Sequence, residues 1–220
     1  KRNILNLVEA VSMACYQMAS PYHPLVTFAI VNYSLQNDYI CKESAAAFAL
    51  FGYFEIFLLQ KYDSGKHWGT VAEKILENSI RPNVRAVLTL NGFLDLCFKP
   101  IKELAGQLFI LNETAMQVGD IECAMYAICQ YWRFSFYGGD KLSILSQSYD
   151  KFMTLMVKYS PDIVKYCVLD ISLTNQLMGN SDDPYSHFEG AIMDESELLI
   201  DAKVKNNRQQ LQSIALKRFT

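Results

Sequence analysis

The sequence predicts an all-α protein, an α-α superhelix (an α-solenoid) of helix hairpins with about 40 residues per unit. Three observations point there. Apolar residues, 51% of the chain, recur at helical spacing over most of its length. Only 10 Gly and 6 Pro are spread over 220 residues, too few for the many turns of a β protein. The starts of alternate helices also recur at a fixed step.

The helices are delimited by their end signals. Pro82, Pro100 and Pro161 each open an apolar-periodic stretch, which suits the first helical position, where the missing N–H costs nothing. Gly119-Asp120 and Gly138-Gly139-Asp140 pair a helix-ending glycine with an aspartate that caps the next helix. Ser160-Pro161-Asp162 is a further start signal. These marks predict nine helices, over 3–18, 24–37, 43–60, 64–79, 82–97, 100–118, 120–137, 140–158 and 161–178. Residues 1–178 form a helical-repeat domain, and the polar stretch 179–192 is a loop. The stretch 193–219 reads as a C-terminal helix, acidic at its start (Asp194, Glu195, Glu197) and basic at its end (Lys217, Arg218), as the helix dipole favours. With Thr220 it is a cap or the start of another unit.

Every second helix starts near 3, 43, 82, 120 and 161, so each step holds one hairpin. One hairpin cannot bury its own apolar face, whereas stacked hairpins can. Ser12, Gly52 and Gly92 stand 40 apart and are predicted packing positions where a neighbouring helix approaches closely. Trp132, a further 40 on, breaks that rule with a large residue.

Three phrases carry a family resemblance. The run Glu43-Ser44-Ala45-Ala46-Ala47-Phe48-Ala49-Leu50-Phe51-Gly52, followed by Gly65-Lys66-His67-Trp68-Gly69, resembles the TPR-like helical region of large multidomain signalling ATPases. Those proteins join a Ser/Thr kinase-like domain and an AAA/STAND-type ATPase to GAF, histidine-kinase or cyclase outputs. Val71-Ala72 and Ile75-Leu76 fill the apolar places of the second phrase, and Gly119-Asp120-Ile121-Glu122 with Ala124-Met125-Tyr126-Ala127 resembles a third. The resemblance covers about residues 3–178. It departs from strict 34-residue tetratricopeptide units. The family's kinase and ATP-binding motifs have no counterpart here, so no residue of theirs carries over.

The chemistry-bearing residues form no recognised motif. There is no GxxxxGK[ST], GxGxxG or HExxH, and His23, His67 and His187 stand far apart in sequence. Asp182-Asp183-Pro184 resembles half of the Asp-rich metal motif of all-α prenyl-transferring enzymes, without its third carboxylate, and reads as a turn. The six cysteines (Cys15, Cys41, Cys97, Cys123, Cys129 and Cys167) form no CxxC pair and sit in apolar helical patterns, which predicts free thiols in a reducing, cytoplasmic setting. The net charge of −3 lacks the basic excess of a nucleic-acid binder. The apolar run Ala45–Leu59 is short of the roughly 20 residues of a membrane span. The chain opens on Lys1-Arg2 without Met and is expected to be a piece of a longer protein.

We therefore expect no catalytic residue, no cofactor and no metal. The expected role is a non-catalytic scaffold or sensor surface, with a protein partner or flanking domains of the same chain, within an ATPase-linked signalling protein. The aromatic cluster of 126–137 supplies the candidate contact residues Tyr126, Trp132, Arg133 and Tyr137. The alternative is an all-α enzyme or small-ligand receptor domain, which needs a cavity lined by converging polar groups.

Overall fold

The computed structural model describes residues 2–18, 20–79, 83–179 and 195–204, together with 211 and 214. The protein is all-α: every regular element among these residues is a helix. They are α1 (Arg2–Gln17), α2 (His23–Gln36), α3 (Ala45–Leu59), α4 (Tyr62–Glu77), α5 (Val84–Thr89), α6 (Ile101–Val118), α7 (Ile121–Gly138), α8 (Leu142–Tyr159), α9 (Pro161–Leu177) and α10 (Glu195–Val204). A 3-10 turn (Lys42–Ser44) leads into α3, so the helix predicted over 43–60 begins slightly later. The α5 helix continues through a π-helical turn (Leu90–Leu94) into a 3-10 turn (Asp95–Cys97).

Local chemistry explains most of the boundaries. Gly119 takes a left-handed conformation (φ 81°), and Asp120 then accepts the Cys123 N–H at 3.1 Å to cap α7. Gly139 is also left-handed (φ 78°), but Asp140 does not cap α8. That helix is entered from Lys141, whose side chain has no acceptor. Pro82 lies outside the described residues, and α5 is capped by Asn83, which accepts the Ala86 N–H at 3.1 Å. The Asn83 amide also donates to the Lys42 carbonyl, tying the start of α5 to the turn before α3. At the end of α3 the left-handed residue is Gln60 (φ 56°), not a glycine. The Lys61 N–H bonds the Glu55 carbonyl across it at 3.0 Å.

Most consecutive helices pack on one another, most extensively α3 with α4 and α6 with α7. Alternate helices also meet: α3 packs on α5, α5 on α7, and α7 on α9. Two ion-pair sets link the latter half of this series, and a third joins α9 to α10. Arg85 on α5 reaches Asp120 and Glu122 at the head of α7, at 2.7 and 3.2 Å. Arg133 on α7 faces Asp170 on α9 at 3.5 Å, and Lys165 on α9 meets Asp201 on α10 at 3.2 Å. The buried Ala202 and Ile214 show that the described C-terminal residues pack inward as well.

The apolar core falls into two main clusters. One is built on Phe48, Ile56, Leu90 and Leu94, the other on Leu104, Leu108, Ile128, Trp132 and Leu145. The α5 segment serves both, with Val84 and Leu88 in the second and Leu90 and Leu94 in the first. No helix among the described residues is long and apolar enough to cross a membrane.

Small residues mark one close crossing. An ideal Cβ at Gly52 would lie 2.6 Å from the Gly65 carbonyl oxygen and 3.2 Å from the Trp68 Cβ. The α3–α4 hairpin therefore closes backbone against backbone, and Trp68 stacks on Phe48 with ring centroids 5.5 Å apart. Gly92 corrects the prediction made for it. A Cβ there would meet Gln130 and Leu88 at 3.8 Å, ordinary contact distance, because the residue lies in the π-helical turn rather than at a tight crossing. Ser12 is buried and lines a cleft instead.

Candidate functional site

The cleft lies where five helical segments converge. Along α1 the stripe is Glu9, Ser12, Met13 and Tyr16, spaced as one helix face. The 3-10 turn and α3 contribute Glu43, Ala46, Ala47 and Leu50; α5 contributes Arg85, Leu88 and Thr89, and the π-helical turn after it Phe93; α7 contributes Tyr126 and Gln130. His23 and Ile30 of α2 complete the wall.

The two ends differ in character. At one end the rings of Phe93, Tyr126 and His23 surround Tyr16, with centroids 6.0, 5.9 and 5.7 Å from it. The Tyr16–Tyr126 contact joins α1 to α7, so the first and seventh helices meet across the cleft. The π-helical turn contributes to this end. Its extra residue per turn re-aims the side chains that follow, and Phe93 falls within it. At the other end Glu9 and Glu43 gather with Arg85. The cavity volume is about 70 Å³. That is below the roughly 300 Å³ at which pockets for drug-sized ligands begin, and it suits a group the size of one side chain.

The charged end has distinct electrostatics. Burial pushes the Glu9 carboxyl up to about 7, with Glu43 and Asp120 adding to the rise and Arg85 and Lys42 opposing it. Burial works against the Arg85 charge as well, yet its hydrogen bonds to Asp120 and the field of Glu122 outweigh this and raise its pKa. Burial lowers the His23 pKa and keeps the ring neutral at pH 7. The Cys123 thiol beside Asp120 is pushed up to about 12 by burial, which makes it a poor nucleophile. Among the described residues no group of three or more His, Cys, Asp or Glu side chains is arranged to hold a metal ion.

The Glu9 shift has a stability consequence. An unfolded value of 4.5 and a folded value near 7 mean that folding favours the protonated form. This group's contribution to stability is then fully present below about 4.5 and is lost as the pH rises through about 7. Replacing Glu9 by Gln should flatten that slope. At pH 8 the variant should be more stable by on the order of 2–3 kcal/mol, allowing for partial solvent screening. Urea denaturation at pH 5 and pH 8 measures this; equal slopes for both proteins would contradict the assignment.

The predicted contact residues do not form one surface. Tyr126 lines the cleft, and Tyr137 is 62% exposed at the far end of α7. Trp132 must be corrected. It is fully buried, its indole N–H donates to Ser148 at 2.7 Å, and its ring meets Tyr149 edge to face at 4.9 Å. Arg133 must be corrected too, since its guanidinium is turned toward Asp170, itself buried on α9, and serves as an interhelix tie. Asp182, Asp183 and Pro184, like His187, lie outside the described residues. Sequence reading missed Glu9, Glu43, Arg85 and Phe93. The available signal was a charged residue opening each of three helix faces, at Glu9, Glu43 and Arg85, but it points to a site only when those faces are known to converge.

No protein-family model, curated protein or solved structure matches the chain.

Proposed function

We propose that this chain is a non-catalytic helical-repeat module that binds protein through the cleft between α1, α3, α5 and α7. In this reading it is a TPR-like superhelix of hairpins, acting as scaffold or sensor in the cytoplasm within a larger ATPase-linked signalling protein. The observation that carries the reading is the cleft itself: α1, α2, α3, α5 and α7 each contribute to a single concave wall. The packing of α3 on α5, α5 on α7 and α7 on α9 supports the repeat, as do the ion pairs that join α5 to α7 and α7 to α9. Such layering produces a concave surface suited to binding. The Tyr16–Tyr126 contact makes the concavity a narrow slot rather than a long open groove. The tie to signalling ATPases rests on sequence resemblance alone, carried by Glu43–Gly52 and Gly65–Gly69, the two phrases that form the tight α3–α4 crossing, and by Gly119–Ala127.

A photo-crosslinking experiment tests the reading. A diazirine-bearing amino acid at Gln130, on the cleft wall, is expected to trap one defined protein adduct in the source cells. The same group at Ile144, exposed on α8, should not trap it. Identical adducts from both positions, or none from Gln130, would contradict the proposal. The second reading, a small-ligand receptor, is favoured by one observation: two carboxylates and a histidine line the same cleft. It requires thermal stabilisation by a small organic compound that is lost in Phe93→Ala, with no adduct at Gln130.

A further inference from the structure

We propose that the cleft takes a lysine side chain of the partner, with its alkyl stem along the apolar walls and its ammonium group between Glu9 and Glu43. The inference rests on the protein-binding reading above and specifies the chemistry that the partner must present.

Size restricts the occupant first. A cavity of about 70 Å³ admits a side-chain-sized group and not a cofactor or nucleotide. The walls then set its shape. Met13, Ala46, Ala47 and Leu88 offer an apolar slot that suits an unbranched hydrocarbon stem. The aromatic end adds Tyr16, Phe93 and Tyr126, whose rings attract a cation as it passes.

Charge complementarity decides the sign. Among the described residues, four carboxylates, Glu9, Glu43, Asp120 and Glu122, stand around the acidic end with the cations Arg85 and Lys42. Arg85 is committed to Asp120 through two hydrogen bonds of 2.7 and 3.1 Å, and to Glu122 through a third of 3.2 Å. Glu9 makes no hydrogen bond or ion pair among the described residues. Its carboxylate therefore stands in a partly buried site with excess negative charge, where an incoming ammonium restores the balance. An acidic or neutral occupant would gain nothing there. Lysine fits better than arginine because its charge is compact and its stem slender, whereas the planar guanidinium needs a wider slot.

The test uses the whole chain and three capped tripeptides, Gly-Lys-Gly, Gly-norleucine-Gly and Gly-Arg-Gly, titrated by heteronuclear NMR. The lysine peptide is expected to bind saturably, shifting resonances of the cleft residues, with a dissociation constant in the millimolar range. The norleucine peptide keeps the stem without the charge and should bind about tenfold more weakly. Glu9→Gln should weaken the lysine peptide by about the same factor and leave the norleucine peptide unchanged. Because that variant removes an unfavourable buried charge, it should remain folded, which its melting curve checks. Equal binding of lysine and norleucine, tighter binding of arginine, an unaltered affinity in Glu9→Gln, or no binding of lysine would each overturn the inference. If the Gln130 adduct persists when the lysine peptide fails to bind, this inference alone is overturned.

Discussion

Trp132→Ala is expected to destabilise the protein by about 3–5 kcal/mol and to lower its melting temperature by roughly 10–15 °C. The indole is fully enclosed between α7 and α8, so removing it opens a cavity that the flanking Leu108, Ile128 and Leu145 can only partly fill. The same change removes the partner of Ser148 and the edge contact of Tyr149. Tyr149 matters further because its hydroxyl shares a hydrogen bond of 3.0 Å with Thr174 on α9, so the disturbance reaches a third helix. Trp132→Phe should lose less, about 1–2 kcal/mol, since it keeps an aromatic ring and forfeits only the hydrogen bond and part of the volume. Tyr137→Ala on the same helix is the control. That ring is 62% exposed, and its loss should cost no more than about 0.5 kcal/mol. Thermal denaturation of the three variants separates the core role of Trp132 from a surface role. Equal losses for Trp132→Ala and Tyr137→Ala would contradict the packing described.

Gly52→Leu should destabilise the protein by about 3 kcal/mol, the upper end of the usual cost of overpacking. A single methyl at Gly52 already meets the Gly65 carbonyl oxygen at 2.6 Å. That atom belongs to the backbone, so relief requires α3 and α4 to move apart rather than one side chain to turn aside. The separation would also strain the stack of Phe48 on Trp68. Alanine substitutions grade the effect by position. Gly52→Ala should still destabilise. Gly106→Ala on α6 has nothing within 4 Å of the new methyl, so it should stabilise by about 0.5–1 kcal/mol through backbone entropy alone. A melting temperature for Gly52→Leu equal to that of the unaltered chain would show that the two helices are not in backbone contact.

The legible parts of this fold are those set by neighbours in sequence. Pro161 opens α9, Gly119 ends α6 and Asp120 caps α7 because those residues act on groups within four positions of themselves. Boundaries held by distant partners were not legible. The start of α5 depends on Asn83, which bonds both its own helix and Lys42. The end of α3, by contrast, fell within a residue of the predicted 60, although Gln60 stands where glycine is the usual signal. The π-helical turn that carries Phe93 left no recognisable pattern among Leu90–Leu94.

Site residues were harder still. Tyr126, Trp132 and Tyr137 are alike in composition terms, and only the arrival of α1, α8 or solvent assigns them to cleft, core or surface. The 40-residue echo of Ser12, Gly52 and Gly92 likewise hid three different environments. Gly52 sits at a tight crossing, Gly92 in a π-helical turn, and Ser12 on the cleft wall. Recurrent spacing aligns residues along a chain, but it does not say which helix face each one meets.

The convergence of α1 with α7 is the geometry on which cleft, binding and lysine preference all depend. It is read most directly from ring-to-ring nuclear Overhauser effects in protein with labelled tyrosines, assigned by Tyr16→Phe and Tyr126→Phe. Centroids 5.9 Å apart predict a clear cross-peak between Tyr16 and Tyr126. A folded protein in which Tyr16 shows no cross-peak to Tyr126 would mean that the first and seventh helices do not meet and that the cleft does not exist.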